Sequence, residues 1–181
     1  MALNDHLITY TITDLKVIAY SGGTLGSSLV DLPGIRSCQI TLGNEAVELR
    51  GDNTVLSVVD QGNTLEWQFE SGGMDLETLE IILGGTATDT GTTPSEVRTL
   101  KVAGDDARPY FGFVGVAPSD DGSSDLHIFV PKAKAAGNFE LTAQDQEFAT
   151  PTISGRGVHH STHGLIQLIQ HETATAAAIP S

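Results

Sequence analysis

The sequence predicts a mainly β domain: a β-sandwich or small barrel of about ten strands, with one short flanking α-helix. Extended runs with period-two alternation recur along the chain, separated by Gly-, Asn- and Pro-containing turns. Only one stretch has the spacing of an amphipathic helix. The length of 181 residues fits a single domain. A chain of that size buries roughly 70% of its unfolded surface, so one core suffices without covalent staples.

The strands read in order as follows. Residues 15–20 place Leu15, Val17 and Ala19 on one face. The glycine-rich segment that follows, Gly22 to Gly26, lacks the lysine and helix of a phosphate loop and reads as a turn. Residues 24–33 read as a long loop. Residues 35–42 and 44–51 read as two strands joined at Gly43-Asn44, and residues 54–59 and 64–70 as two more joined at Gly62-Asn63. Between the two pairs, Gly51-Asp52-Asn53 makes a natural turn. Residues 64–70 carry the cleanest alternation, with Leu65, Trp67 and Phe69 on one face and Glu66, Gln68 and Glu70 on the other.

The helix follows Gly72-Gly73-Met74. Asp75 is its N-cap, Leu76, Leu79, Ile82 and Leu83 form its apolar stripe, and Gly84-Gly85 stops it. At two to three turns it requires tertiary packing to exist. Residues 86–94 are rich in Thr and Gly and read as an exposed loop, followed by an extended run at 96–103. Residues 110–117 are apolar at every position, which predicts a strand covered on both sides. Residues 126–130 form a strand closed by Pro131; in 138–143, Phe139 and Leu141 point inward and Glu140 and Thr142 outward. Runs at 147–158 and 165–170 complete the domain, which spans 1–172; 173–181 reads as a flexible Ala/Thr-rich tail.

The chain carries no recognisable catalytic motif. Histidines 159, 160 and 163 sit in a polar, Gly-flanked segment with no cysteine or carboxylate at ligand spacing, so they read as a loop and no metal or cofactor is expected. Asp105/Asp106 and Asp120/Asp121 flank turns, where carboxylates stay solvated. Arg50-Gly51-Asp52 spells an adhesion tripeptide but closes a strand at a turn. The single cysteine, Cys38, has no disulfide partner within the chain and reads as a small buried hydrophobe. The opening Met-Ala-Leu-Asn-Asp-His lacks a basic region followed by an apolar run, and no stretch approaches the ~20 apolar residues of a membrane span. Synthesis in the cytoplasm and no membrane partner are therefore expected.

Charge is the strongest compositional signal. Nine Lys+Arg against 23 Asp+Glu give a net charge of −14. Such a surface repels nucleic-acid phosphates.

Residues 46–85, from Ala-Val-Glu-Leu-Arg-Gly-Asp-Asn through Leu-Glu-Trp-Gln-Phe-Glu-Ser-Gly-Gly to the helix and Gly84-Gly85, resemble the major tail tube proteins of long-tailed, siphovirus-like bacteriophages. A strand ending in an Arg-Gly-Asp-like turn, an acidic amphipathic strand, a Gly-Gly break and a short helix follow one another in that family. Residues 126–148, with Val130-Pro131-Lys132-Ala133-Lys134 and Asn138-Phe139-Glu140-Leu141, are similar to its C-terminal half. Together these cover about half the chain.

The resemblance implies a non-enzymatic virion subunit assembled in the host cytoplasm. It implies homo-hexameric rings stacked into a hollow tube through which DNA leaves without specific binding. The implied protein partners are the tape-measure, tail-tip and tail-terminator proteins. An acidic lining suits that task, because each phosphate neutralised by Lys or Arg would add counterion-release affinity. Candidate lumen-facing residues are Glu48, Glu66, Gln68, Glu70, Glu140 and Thr142. Candidate inter-ring contacts are Thr24, Leu25 and Gly26 in one loop and Thr86, Thr88, Asp89 and Thr92 in the other. Two other readings use the same architecture: the inner tube of a contractile tail or secretion-type injection system, and a β-sandwich capsid decoration or carbohydrate-binding module. Against the last, Trp67 shares an inward face with Leu65 and Phe69 instead of standing free for sugar stacking.

Overall fold

The computed structural model describes residues 11–73, 75–142, 145 and 149–180. Parts of the expected elements at Met74, Ala143 and 147–148 lie outside them, as does Ser181. Among the described residues, eleven strands and one helix follow in the order β1 (Asp14–Ser21), β2 (Thr24–Asp31), β3 (Ile35–Gly51), β4 (Thr54–Ser71), α1 (Leu76–Leu83), β5 (Thr86–Thr90), β6 (Val97–Lys101), β7 (Tyr110–Pro118), β8 (Asp125–Lys134), β9 (Phe139–Thr142), β10 (Thr150–Gly157) and β11 (Gln167–His171). All described pairings are antiparallel. The helix is too short to cross a membrane.

Nine strands form one sheet in the order β2-β1-β7-β8-β10-β4-β3, with β11 added to β8 and β9 to β10. β8 and β10 meet through only two residue pairs, Arg156–Lys134 and Gly157–Ala133. The sheet folds over at this seam. Leu15 and Val17 of β1 and Phe111 and Phe113 of β7 thereby enter one core with Leu65, Trp67 and Phe69 of β4 and Ile153 of β10. Trp67 stacks on Phe69 at 4.6 Å, and both rings meet Phe113 at steep angles, 64° and 89°. Such pairings add to the burial energy of the rings.

The helix closes one end. Asp75 accepts the Thr78 N–H at 2.9 Å as N-cap, and Gly84, at φ 81°, ends it with its N–H on the Glu80 carbonyl. Leu79, Ile82 and Leu83 pack into the core. The Thr78 hydroxyl donates to the Asp31 carbonyl at 2.9 Å, tying the helix to the end of β2.

β7 is covered on both sides, as its unbroken apolar run predicts. Phe111 and Phe113 face the main core. Val114 and Val116 join Ile18 and Phe129 in a second cluster, against which Ala177 and Ile179 pack. The segment after β11, expected to be flexible, makes defined contacts here: Ala177 is buried, the Ala174 N–H donates to the Ser123 carbonyl, and the Thr175 N–H donates to Asp125 Oδ2.

Several local expectations are corrected. Gly43-Asn44 and Gly62-Asn63 are not turns. They face each other inside two continuous strands, Gly43 opposite Thr64 and Asn44 opposite Asn63. Gly62, at φ 109°, instead serves the bulge that shifts the register between Glu45 and Ala46. Pro131 does not close β8. The strand runs on to Lys134 past a register shift opposite Phe111–Phe113, and a bulge is where a strand tolerates proline. Residues 24–33 and 86–94 are not long loops: most of the first is β2, and the second begins with β5, hairpinned to β6. Their threonines suit extended backbone as well as turns. Leu141 is on the edge strand β9 and is 48% exposed, not inward. Cys38 packs partly buried against the core, and burial pushes its thiol up to about 12, which disfavours the thiolate.

Gly155 marks a position where backbone and ring approach too closely for any side chain. A Cβ there would run into the Lys134 carbonyl oxygen and the Trp67 ring, right beside the β8–β10 seam. Gly155→Ala is expected to destabilise the domain by about 1–3 kcal/mol, read as a lower denaturant midpoint at unchanged m-value. Gly104→Ala, with open space around it, should change stability by less than about 0.5 kcal/mol.

Candidate assembly surfaces

Past the core, β3 and β4 continue together as a two-stranded arm. Residues 54–64 of β4 are all exposed, as are nearly all of 44–51 on β3. At 3.4 Å per residue the arm reaches about 25 Å beyond the body. Its tip is a two-residue turn, Asp52 at φ 47° and Asn53 at φ 64°, with Gly51 opposite Thr54. Both turn residues are left-handed, as the twist of a tight hairpin demands. Arg50 beside this turn is engaged by Glu48 at 2.6 Å.

The arm carries exposed apolar side chains on both faces, one of which also holds Glu48, Arg50 and Asp60. Val47 lies opposite Val59 on one, and Val58 opposite Glu48 on the other. Leu49, Leu56 and Val59 are each more than 60% exposed, and Val47, Val55 and Val58 about half exposed. An isolated hairpin of this length is marginal in water, and unpaired edges with apolar side chains invite another chain.

A second surface is polar. Ser37, Gln39 and Thr41 of β3 stand in register with Glu70, Gln68 and Glu66 of β4, which stand in register with Thr152, Ser154 and Arg156 of β10. β9 extends the face with Glu140 opposite Thr152 and Thr142 opposite Thr150. Five of the six candidate lumen residues, Glu66, Gln68, Glu70, Glu140 and Thr142, therefore share one face of one sheet. Glu48 does not. It has the opposite parity from Gln39 and Thr41 on β3 and lies out on the arm. The face also holds cations that the alternation of β4 alone did not reveal. Arg156 lies 3.3 Å from Glu66, and Arg36 lies 3.6 Å from Glu70. Exposed pairs of this kind contribute little to stability, but they lower the negative charge of the face.

The proposed inter-ring residues occupy two separate hairpins. Thr24, Leu25 and Gly26 begin β2, after the Gly22-Gly23 turn. Thr86, Thr88 and Asp89 lie in β5 and Thr92 in the turn to β6; Asp89 is clamped by Arg98 through two hydrogen bonds of 2.7 and 2.8 Å.

The polar motifs resolve into local structure. Asp121 accepts from the Ser119 and Ser123 hydroxyls and the Ser123 N–H, and these bonds, the Ser119 one foremost, lower its pKa to about 2. Asp106 accepts the Ala103 N–H. His160 pairs with Gly164 across a tight loop, and its Nδ1 faces the N–H groups of Thr162 and His163. Among the described residues, the histidines that gather with a carboxylate are others, His127 and His171 beside Asp125. They come from two strands distant in sequence, so spacing could not reveal them.

No protein-family model matches the chain, and no curated protein matches its sequence. Among solved structures, a chain from the virion of a native gene transfer agent particle superposes with a TM-score of 0.42 at 10% sequence identity, over 86% of this chain and 95% of that one.

Proposed function

We propose that this chain is a structural subunit of a phage-type tail tube, whose copies close into rings and stack into a hollow conduit for DNA. The observation that carries this reading is the β3–β4 arm. It commits two long strands to a projection that, among the described residues, covers no part of the core and exposes valines and leucines on both faces. Arms docked on neighbouring subunits would bury those side chains and satisfy the open strand edges at once. A contact between unlike surfaces propagates from copy to copy, closing as a ring or continuing as a filament.

The polar face of β3, β4, β10 and β9 is the proposed channel lining. Its glutamates and short hydroxyl side chains would repel or slide past phosphates, and its two arginines are occupied by glutamates. The chain then acts by shape and charge and needs no catalytic group. Its implied partners are further copies of itself and the proteins that initiate, measure and cap the tube. The same surfaces would serve a contractile-tail or injection-system inner tube equally well.

Concentrated, tag-free protein is expected to form rings or hollow filaments visible by negative-stain microscopy. The double variant Val47→Glu/Val59→Lys replaces one facing apolar pair with opposite charges, which keeps the cross-strand pair favourable. It should retain the wild-type circular dichroism and melting temperature yet sediment as a monomer. Wild-type sedimentation that is independent of concentration, and identical to that of the variant, would reject assembly through the arm. For the lining, Glu66→Lys/Glu70→Lys/Glu140→Lys should permit tubes while slowing DNA ejection, more so at low salt. Ejection at the wild-type rate would remove the lumen assignment.

A further inference from the structure

We propose that Asp125, His127 and His171 form a binding site for a divalent cation of the zinc type. Asp125 and His127 are two residues apart on β8 and project to the same side. His171 on β11 pairs directly with Asp125 in register. One donor atom from each residue lies within 4.8 Å of the other two, and the two imidazole centroids are 4.3 Å apart. No other group of three such side chains gathers among the described residues.

The site is built, not incidental. Asp125 is 1% and His127 2% exposed. Asp125 Oδ1 and His127 Nε2 face each other at 3.4 Å, yet neither has a hydrogen-bond partner among the described residues. Buried polar atoms left in this way are costly. One cation bound by both would satisfy them together. The remaining carboxylate oxygen, Oδ2, accepts the Thr175 N–H. That bond turns Oδ1 toward the histidines, the role that outer partners play for metal ligands.

Two imidazoles and one carboxylate suit zinc and its neighbours, whereas calcium and magnesium prefer oxygen-only shells. Metal–ligand bonds of 2.0–2.2 Å place tetrahedral donors about 3.3 Å apart, a contraction that side-chain rotation can supply. Three protein ligands leave a fourth position for water or a further donor. The bound ion would join β8 to β11 and, through Asp125 and Thr175, hold the chain after β11 over the second apolar cluster. This site goes beyond the tube reading and does not depend on it.

The test uses the full, tag-free chain, stripped with chelator and titrated with zinc chloride. About one zinc per chain should bind, by mass spectrometry of the metal and by calorimetry, and the melting temperature should rise. Cobalt(II) should give the visible absorption of a low-coordinate site. His171→Gln sits on a half-buried position, and Asp125→Asn keeps an oxygen for Thr175. Each should fold as the apo protein does and lose at least about tenfold in zinc affinity. His160→Ala should bind as wild type. Absence of zinc uptake overturns the proposal. So does uptake that both ligand variants retain and His160→Ala abolishes.

Discussion

Everything in this domain depends on the aromatic packing of Trp67, Phe69, Phe111 and Phe113 across the fold in the sheet. The two halves of that sheet share only two residue pairs between β8 and β10. Backbone hydrogen bonds at the seam are therefore too few to hold the halves face to face. The four rings, with Leu15, Val17, Leu65 and the helix side chains, supply the apolar contact that does. Gly155 and Gly157 are part of the same device. Trp67 and Leu65 occupy the volume that side chains at those positions would need, so the seam closes to its observed distance only with glycine on β10.

Once the core is closed in this way, the rest of β3 and β4 covers nothing among the described residues. The strands divide sharply. Toward the helix they alternate between core and solvent, and beyond Gly43 and Thr64 both faces are exposed. A sequence under selection only for a monomer would be expected to carry polar side chains there. The arm carries Val47, Leu49, Leu56, Val58 and Val59 instead. The polar face presents the reverse: it stays hydrophilic over four adjacent strands, and its two arginines are occupied by glutamates. An apolar-studded projection and a broad hydrophilic surface in one domain are the pattern that the tube reading requires.

The outer side of β7 and β8 is completed by the chain's own C-terminal segment. Ala177 and Ile179 cover Val114, Val116 and Phe129, and Thr175 is fastened to Asp125. The buried Asp125–His127 pair stands at the root of this strap.

The alternation of β4, the unbroken apolar run of β7, the N-cap and stripe of α1 and the Asp52-Asn53 turn were all written locally, as side-chain periods and turn chemistry that act within a few residues. They determined the β class, the single helix and the inward Trp67. Period two also placed Glu66, Gln68 and Glu70 on one face of their own strand. Tertiary structure decided the rest. It made two long strands from four short ones, because cross-strand pairing turned Gly62 from a turn residue into a bulge. It extended β8 through Pro131, and it paired Thr24–Asp31 and Thr86–Thr90 as strands. It brought Glu140 and Thr142 into line with β4 through β10, sent Glu48 to the arm, and set His171 beside Asp125. Each of these depends on which strand lies next to which. Strand neighbourhood follows from long-range packing, and local alternation carries no record of it.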